Sequence, residues 1–150
     1  GCMGIAMFIN AWFVERFGTR LISHAALIAF IAVNFLHLAV AVNRGETLFS
    51  FVVLQGVQMF LYGLMSSNFN SMAMETVGDI AGSASSVQGF ISTCIGAGVG
   101  EAVGQLFDST TVPLALGFLG CSLFCLCAVL YAEQGRLFRP HHTDTSHPPI

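Results

Sequence analysis

The stretch LISHAALIAFIAVNFLHLAVAV, residues 21–42, carries no charged side chain and ends at the polar break Asn43-Arg44-Gly45-Glu46. About 20 apolar residues in a helix cross the hydrocarbon core of a bilayer, so this run reads as a membrane span closed by a turn. Working outward, residues 48–74 form a second such run, followed by a polar break at 75–82. Residues 83–107 form a third, rich in Gly, Ser and Ala, and residues 112–131 a fourth. Pro113 falls in the first turn of the last run, where a missing N–H costs little. Residues 1–14 are too short to cross and lead into Glu15 and Arg16, as the last part of a helix continued from an earlier segment would. The pattern predicts an all-α polytopic transmembrane bundle over residues 1–132 and a disordered tail over residues 133–150, where Pro140, Pro148 and Pro149 lie.

Composition agrees. The 150 residues are 55% hydrophobic and 9% charged, against roughly a quarter charged in ordinary soluble domains. All five basic residues are arginine and the net charge is −3, which excludes a positive face for nucleic acid. Cys2, Cys94, Cys121, Cys125 and Cys127 are odd in number, sit in apolar runs and lack paired metal-ligand spacing, so they read as free thiols. Alternating the breaks across the membrane puts Arg16, Arg20, Arg136 and Arg139 on one side and Arg44 on the other. The arginine-rich side, with the tail, is expected to be cytoplasmic.

Several polar residues interrupt the apolar runs. Gly96, Gly100 and Gly104 recur every four residues, which leaves one stripe of that helix almost bare and suits close helix packing in lipid. Glu101 is the one acid inside an expected span, so it is either a proton-coupling group or a side chain reaching the interface. Gln55, Gln58, Met59, Tyr62, Met65, Ser66 and Phe69 follow at three- and four-residue steps. Amides, a phenol and thioethers on one face suit either a substrate cavity for varied apolar compounds or a helix interface held by amides. His24 and His37 read as core or interface residues too far apart to share a site, and His141, His142, Asp144 and His147 offer no fixed metal geometry. No catalytic constellation, metal centre or cofactor motif is present, so an enzyme is not expected.

The residues also carry a resemblance. Ala11-Trp12-Phe13-Val14-Glu15-Arg16-Phe17-Gly18-Thr19-Arg20 resembles the acid-Arg-x-Gly-x-Arg loop that major facilitator superfamily transporters repeat in each half. Asn70-Ser71-Met72-Ala73-Met74-Glu75, Ile80-Ala81-Gly82-Ser83-Ala84-Ser85-Ser86-Val87-Gln88-Gly89 and Gly104-Gln105-Leu106-Phe107 with Pro113-Leu114 are similar to the Bcr/CflA drug-resistance branch. The sequence departs from the pattern at Ala11, Thr19, Thr76, Asp79 and Glu101. The resemblance implies the C-terminal portion, about helices 8 to 12, of a twelve-helix proton-coupled multidrug exporter in a bacterial inner membrane. Its partners would be protons, a small amphipathic drug-like substrate, membrane lipid and the N-terminal half of the same transporter. It also implies that Gln55, Gln58, Met59 and Tyr62 border the substrate cavity, and that Glu15, Arg16, Gly18 and Arg20 hold a cytoplasmic gate. The alternative of another class is a stand-alone membrane packing or assembly module that oligomerises through the Gly-rich helix.

Overall fold

The structure, a computed structural model, describes residues 1–75 and 77–134. Thr76 and residues 135–150, including Arg136, Arg139 and the histidines expected in the tail, lie outside the described residues. Five α-helices follow one another among the described residues: α1 (Cys2–Phe17), α2 (Thr19–Val42), α3 (Leu48–Glu75), α4 (Ala81–Gln105) and α5 (Val112–Ala132), with a short 3-10 turn at Gly78–Ile80. Among the described residues there is no strand.

Three helices, α2, α3 and α5, are long and apolar enough to cross a membrane, which marks the chain as a membrane protein. Of the four full spans expected, those at 21–42, 48–74 and 112–131 meet this measure. At 25 residues α4 has the length, but its glycines, serines, two glutamines and Glu101 leave it less apolar than the others. Large apolar side chains face outward all along the bundle, among them Phe8, Trp12, Phe35, Phe90 and Phe124. A water-soluble monomer does not show so much apolar surface, whereas lipid or a further helix would cover it.

α2 is the centre of the arrangement. α3 packs along one side of it and α5 along the other, while α1 lies on the outer flank of α3 and α4 touches mainly α5. Ala26, Leu27 and Phe30 of α2 meet Met65 of α3 in the apolar core, and Phe118 of α5 closes it with an edge-on ring contact to Phe30. Helices approach most closely where side chains are small. A Cβ added to Gly63 of α3 would sit 3.0 Å from Ala6 Cβ and 3.2 Å from the Met3 carbonyl oxygen of α1. One added to Gly117 of α5 would sit 2.7 Å from a Val103 methyl of α4.

The turns fix which helix ends lie together. α1 continues through Glu15 and Arg16 to Phe17, three residues past the expected end, and stops at Gly18. Gly18 has φ 80° and ψ 151°, a conformation essentially restricted to glycine, and it alone separates α1 from α2. Gly18→Ala is expected to destabilise the bundle by about 1–3 kcal/mol through backbone strain, since no neighbour lies within 4 Å of the added methyl. Unfolding in mixed detergent micelles measures the loss. Arg44, at φ 53°, closes the turn after α2, and Thr47 then starts α3: its hydroxyl accepts the Ser50 amide at 3.2 Å while Ser50 Oγ accepts the Thr47 amide at 2.8 Å. In the turn before α5, Asp108 accepts bonds from the Thr110 hydroxyl and amide, which hold its carboxyl below the usual carboxylate range.

Candidate functional site

A polar chain crosses the bundle interior near the end formed by the α2–α3 and α4–α5 turns. On α2, Asn34 and His37 are three residues apart and share the face turned toward α3 and α5. Both are fully buried, as is Gln58 of α3. Gln58 Nε2 donates to Asn34 Oδ1 at 2.7 Å and to His37 Nδ1 at 3.1 Å. Asn34 Nδ2 donates onward to Ser122 Oγ of α5 at 3.3 Å, and Ser122 Oγ donates to the Leu119 carbonyl at 2.8 Å. On the other side of the imidazole, His37 Nε2 lies 2.8 Å from Glu46 Oε1 in the α2–α3 turn. The second Glu46 oxygen accepts the Thr111 hydroxyl, so one carboxylate ties both turns together.

With the Gln58 amide placed as it is, its NH₂ group faces Nδ1, and the tautomer that matches carries the ring hydrogen on Nε2, toward Glu46. Gln58 Oε1 is buried and has no hydrogen-bond partner among the described residues. In hydrocarbon such a network stabilises only if its members are paired, so the orphaned oxygen is the weak point of the arrangement.

The expected cavity residues are divided by the fold. Gln58 points to α2 and is occupied by its two partners, while Tyr62 stands on the exposed side of α3. Met65 and Phe69, expected on the same stripe, pack into or against the apolar core. Gln55 and Met59 line a shallow groove of about 370 Å³, bordered also by Cys2 and Met3 of α1 and Phe51 and Gly56 of α3. Gln55 Oε1 is buried there without a hydrogen-bond partner among the described residues. Nearer the opposite end, Asn68 of α3 and Asn10 of α1 form a closed amide pair, each Nδ2 donating to the other's Oδ1 at 2.9 Å.

At that opposite end lie the residues expected to form a gate. Arg20 Nη1 donates to Glu133 Oε2 at 3.2 Å, joining the start of α2 to the residue that follows α5. Glu133, the first residue of the expected tail, thus holds a defined contact. Glu15 and Arg16 are exposed, with the Arg16 guanidinium 5.6 Å from the Phe17 ring centre. Arg16 and Arg20 share an end with residue 133, and Arg44 lies at the end where Glu46 meets Thr111.

α4 stands apart. No residue of it is buried, and nothing lies within 4 Å of a Cβ added at Gly96, Gly100 or Gly104. Gly100 and Gly104 face a groove shared with Phe51 of α3 and Pro113 and Leu114 of α5, while the tight approaches among the described residues are made at Gly63 and Gly117. Glu101 is exposed on α4, and its Oε1 accepts a bond from Gln105 Nε2 at 2.8 Å one turn on.

Sequence reading did not single out Asn10, Asn34, Glu46 or Ser122. The signal that was available is the i, i+3 spacing of Asn34 and His37 inside an otherwise apolar span, which puts two polar groups on one face. No protein-family model, curated protein or solved structure matches this chain.

Proposed function

We propose that this chain is the C-terminal part of a proton-coupled transporter of the major facilitator type, similar to the Bcr/CflA branch, that exports small amphipathic compounds by alternating access. The observation that carries this reading is the Arg20–Glu133 ion pair, which joins the loop resembling the superfamily's gate motif to the end of the last helix. A pair at 26% and 16% side-chain exposure adds little stability, and its value would lie in holding one of two arrangements of the helix ends. The buried amide and imidazole groups of α2 and α3 further support a bundle with an internal polar task, since such groups are costly in lipid.

In the complete protein, Arg20→Ala and Glu133→Ala are each expected to impair dye efflux from cells by about tenfold or more with unchanged membrane abundance. The charge-swapped double variant, Arg20→Glu with Glu133→Arg, is expected to recover most of it. Equal efflux in all variants would count against the gate. Glu101→Gln is expected to abolish proton-driven efflux without changing expression if this exposed carboxylate carries protons; unaltered coupling excludes that role.

The exposed stripe of α4, where an added Cβ meets nothing within 4 Å, favours a second reading, in which Gly96, Gly100 and Gly104 drive association of a short membrane module with itself. The size of the native product separates the two. An immunoblot against residues 139–150 shows a band well over twice 16.0 kDa if the chain belongs to a whole transporter, and one near that mass if the short module exists.

A further inference from the structure

We propose that the outward face of α1 is a docking surface for a membrane phospholipid, its phosphate held by the Arg16 guanidinium and its acyl chains lying along Trp12, Phe8 and Ile5. This site is independent of the transporter reading above.

α1 has two unlike faces. Ala6 and Asn10 are buried on one of them, Ala6 against Gly63 and Asn10 bonded to Asn68 of α3. Turned away from these, at three- and four-residue steps, Ile5, Phe8, Trp12 and Arg16 form one stripe. The three apolar side chains are 58%, 83% and 67% exposed, and Arg16 is exposed as well. An apolar stripe of this kind is covered by lipid or by a further helix. Its length and its charged end favour lipid. At about 1.5 Å per residue, the rise from Ile5 to Arg16 is about 16 Å, close to half of a hydrocarbon core about 30 Å thick. The acyl chains of a single leaflet match that reach.

Arg16 sits at the level of a headgroup. α1 ends at Phe17, and Gly18 alone leads into α2, a helix long and apolar enough to span, so Arg16 lies level with the membrane boundary of α2. Aromatic rings collar it. Trp12 meets Phe13 edge-on with ring centres 5.4 Å apart, Phe13 stacks on Phe17 at 5.8 Å, and the guanidinium stands 5.6 Å from the Phe17 ring centre. Aromatic side chains gather at this level of a bilayer, just beneath the headgroups. A planar guanidinium pairs two N–H donors with two phosphate oxygens, which suits arginine to this anion. Among the described residues Arg16 makes no ion pair, whereas Arg20, one turn on, is committed to Glu133. Glu15 is exposed at the adjoining position and repels a free anion. A phosphate carried on acyl chains is held by their contact with the stripe as well, so the occupant is a lipid and not inorganic phosphate.

The test uses the complete protein in maltoside micelles, titrated with phosphatidylglycerol brominated on its acyl chains and, separately, with diacylglycerol carrying the same chains. Bromine quenches tryptophan on contact, and subtracting the emission of a Trp12→Phe protein isolates Trp12 from any other tryptophan. Phosphatidylglycerol is expected to quench Trp12 at an about fivefold lower mole fraction than diacylglycerol. Arg16→Ala is expected to erase that difference while leaving quenching by diacylglycerol as it was, which shows that the variant is folded. Arg16→Lys is expected to keep part of the difference, and Arg44→Gln, which removes a charge from the opposite end, to keep all of it. Inorganic phosphate in excess is expected to displace nothing. Equal quenching by the two lipids, a preference that survives Arg16→Ala, or displacement by inorganic phosphate overturns the site. Quenching by neither lipid means that a helix covers the stripe, and overturns it as well.

Discussion

Gln58→Leu is expected to cost this bundle about 2 kcal/mol or more, measured as a shift in detergent-induced unfolding, while Tyr62→Phe leaves stability within about 0.5 kcal/mol. The leucine fills a similar volume on the buried face of α3 but gives nothing to Asn34 Oδ1 or His37 Nδ1, which both lose their donor. Each buried acceptor stranded in a protein interior costs about 1–3 kcal/mol. Single side-chain hydrogen bonds between membrane helices average nearer 0.6 kcal/mol, because the unfolded chain in lipid also finds partners, and this places the expected loss at the low end of the sum. The exposed Tyr62 hydroxyl has no such duty. Equal stability of the two variants would mean that the polar chain between α2, α3 and α5 is not formed.

Gly63→Val is the second large effect, and it acts on packing alone. Even a methyl at this position meets Ala6 Cβ at 3.0 Å and the Met3 backbone at 3.2 and 3.3 Å, and backbone cannot turn aside as a flexible side chain does. The two further methyls of valine must push α1 off α3, at about 1–3 kcal/mol or more. Separation also takes apart the Asn10–Asn68 pair, whose two 2.9 Å bonds need the helices in register. A cross-link reports it directly. Cys2 Sγ lies 3.5 Å from where a Gly56 Cβ would be, so Gly56→Cys should oxidise readily to a bridge with Cys2, and adding Gly63→Val should abolish it. Cross-linking at the same rate with valine present would contradict the packing of α1 on α3. By contrast, Gly96→Val on the bare stripe of α4 meets no atom of this chain and tests only what lies outside it.

These two predictions also show what could be read from the chain and what could not. The spans were legible because lipid imposes a simple length rule: the runs expected at 21–42, 48–74 and 112–131 differ from α2, α3 and α5 by no more than two residues at either end. Gly18 was named only as part of the gate loop, and its positive φ, at the break between α1 and α2, had to be seen. The partners of the polar residues were not legible, because Gln58 meets Asn34 across 24 residues of chain and Asn10 meets Asn68 across 58. A helical wheel lists Gln55, Gln58, Met59 and Tyr62 together, yet a helix with neighbours on two sides splits such a stripe among α1, α2 and the outer surface. Glu46 was hidden differently. It reads as one letter of a polar turn, and only the fold brings it back over the last turns of α2 to His37. The four-residue glycine period predicted close packing; tight contacts among the described residues fall at Gly63 and Gly117, where the sequence shows no period.

The claim on which the account turns is that the complete protein couples proton movement to export of an amphipathic compound. Product purified from source membranes and reconstituted into proteoliposomes, with dye at equal concentration on both sides and an imposed pH difference, tests it in one assay. The account predicts that the pH difference drives accumulation of a cationic dye such as ethidium against its gradient, and that a protonophore collapses it. Dye that stays at equilibrium in vesicles holding folded, membrane-inserted protein would contradict it.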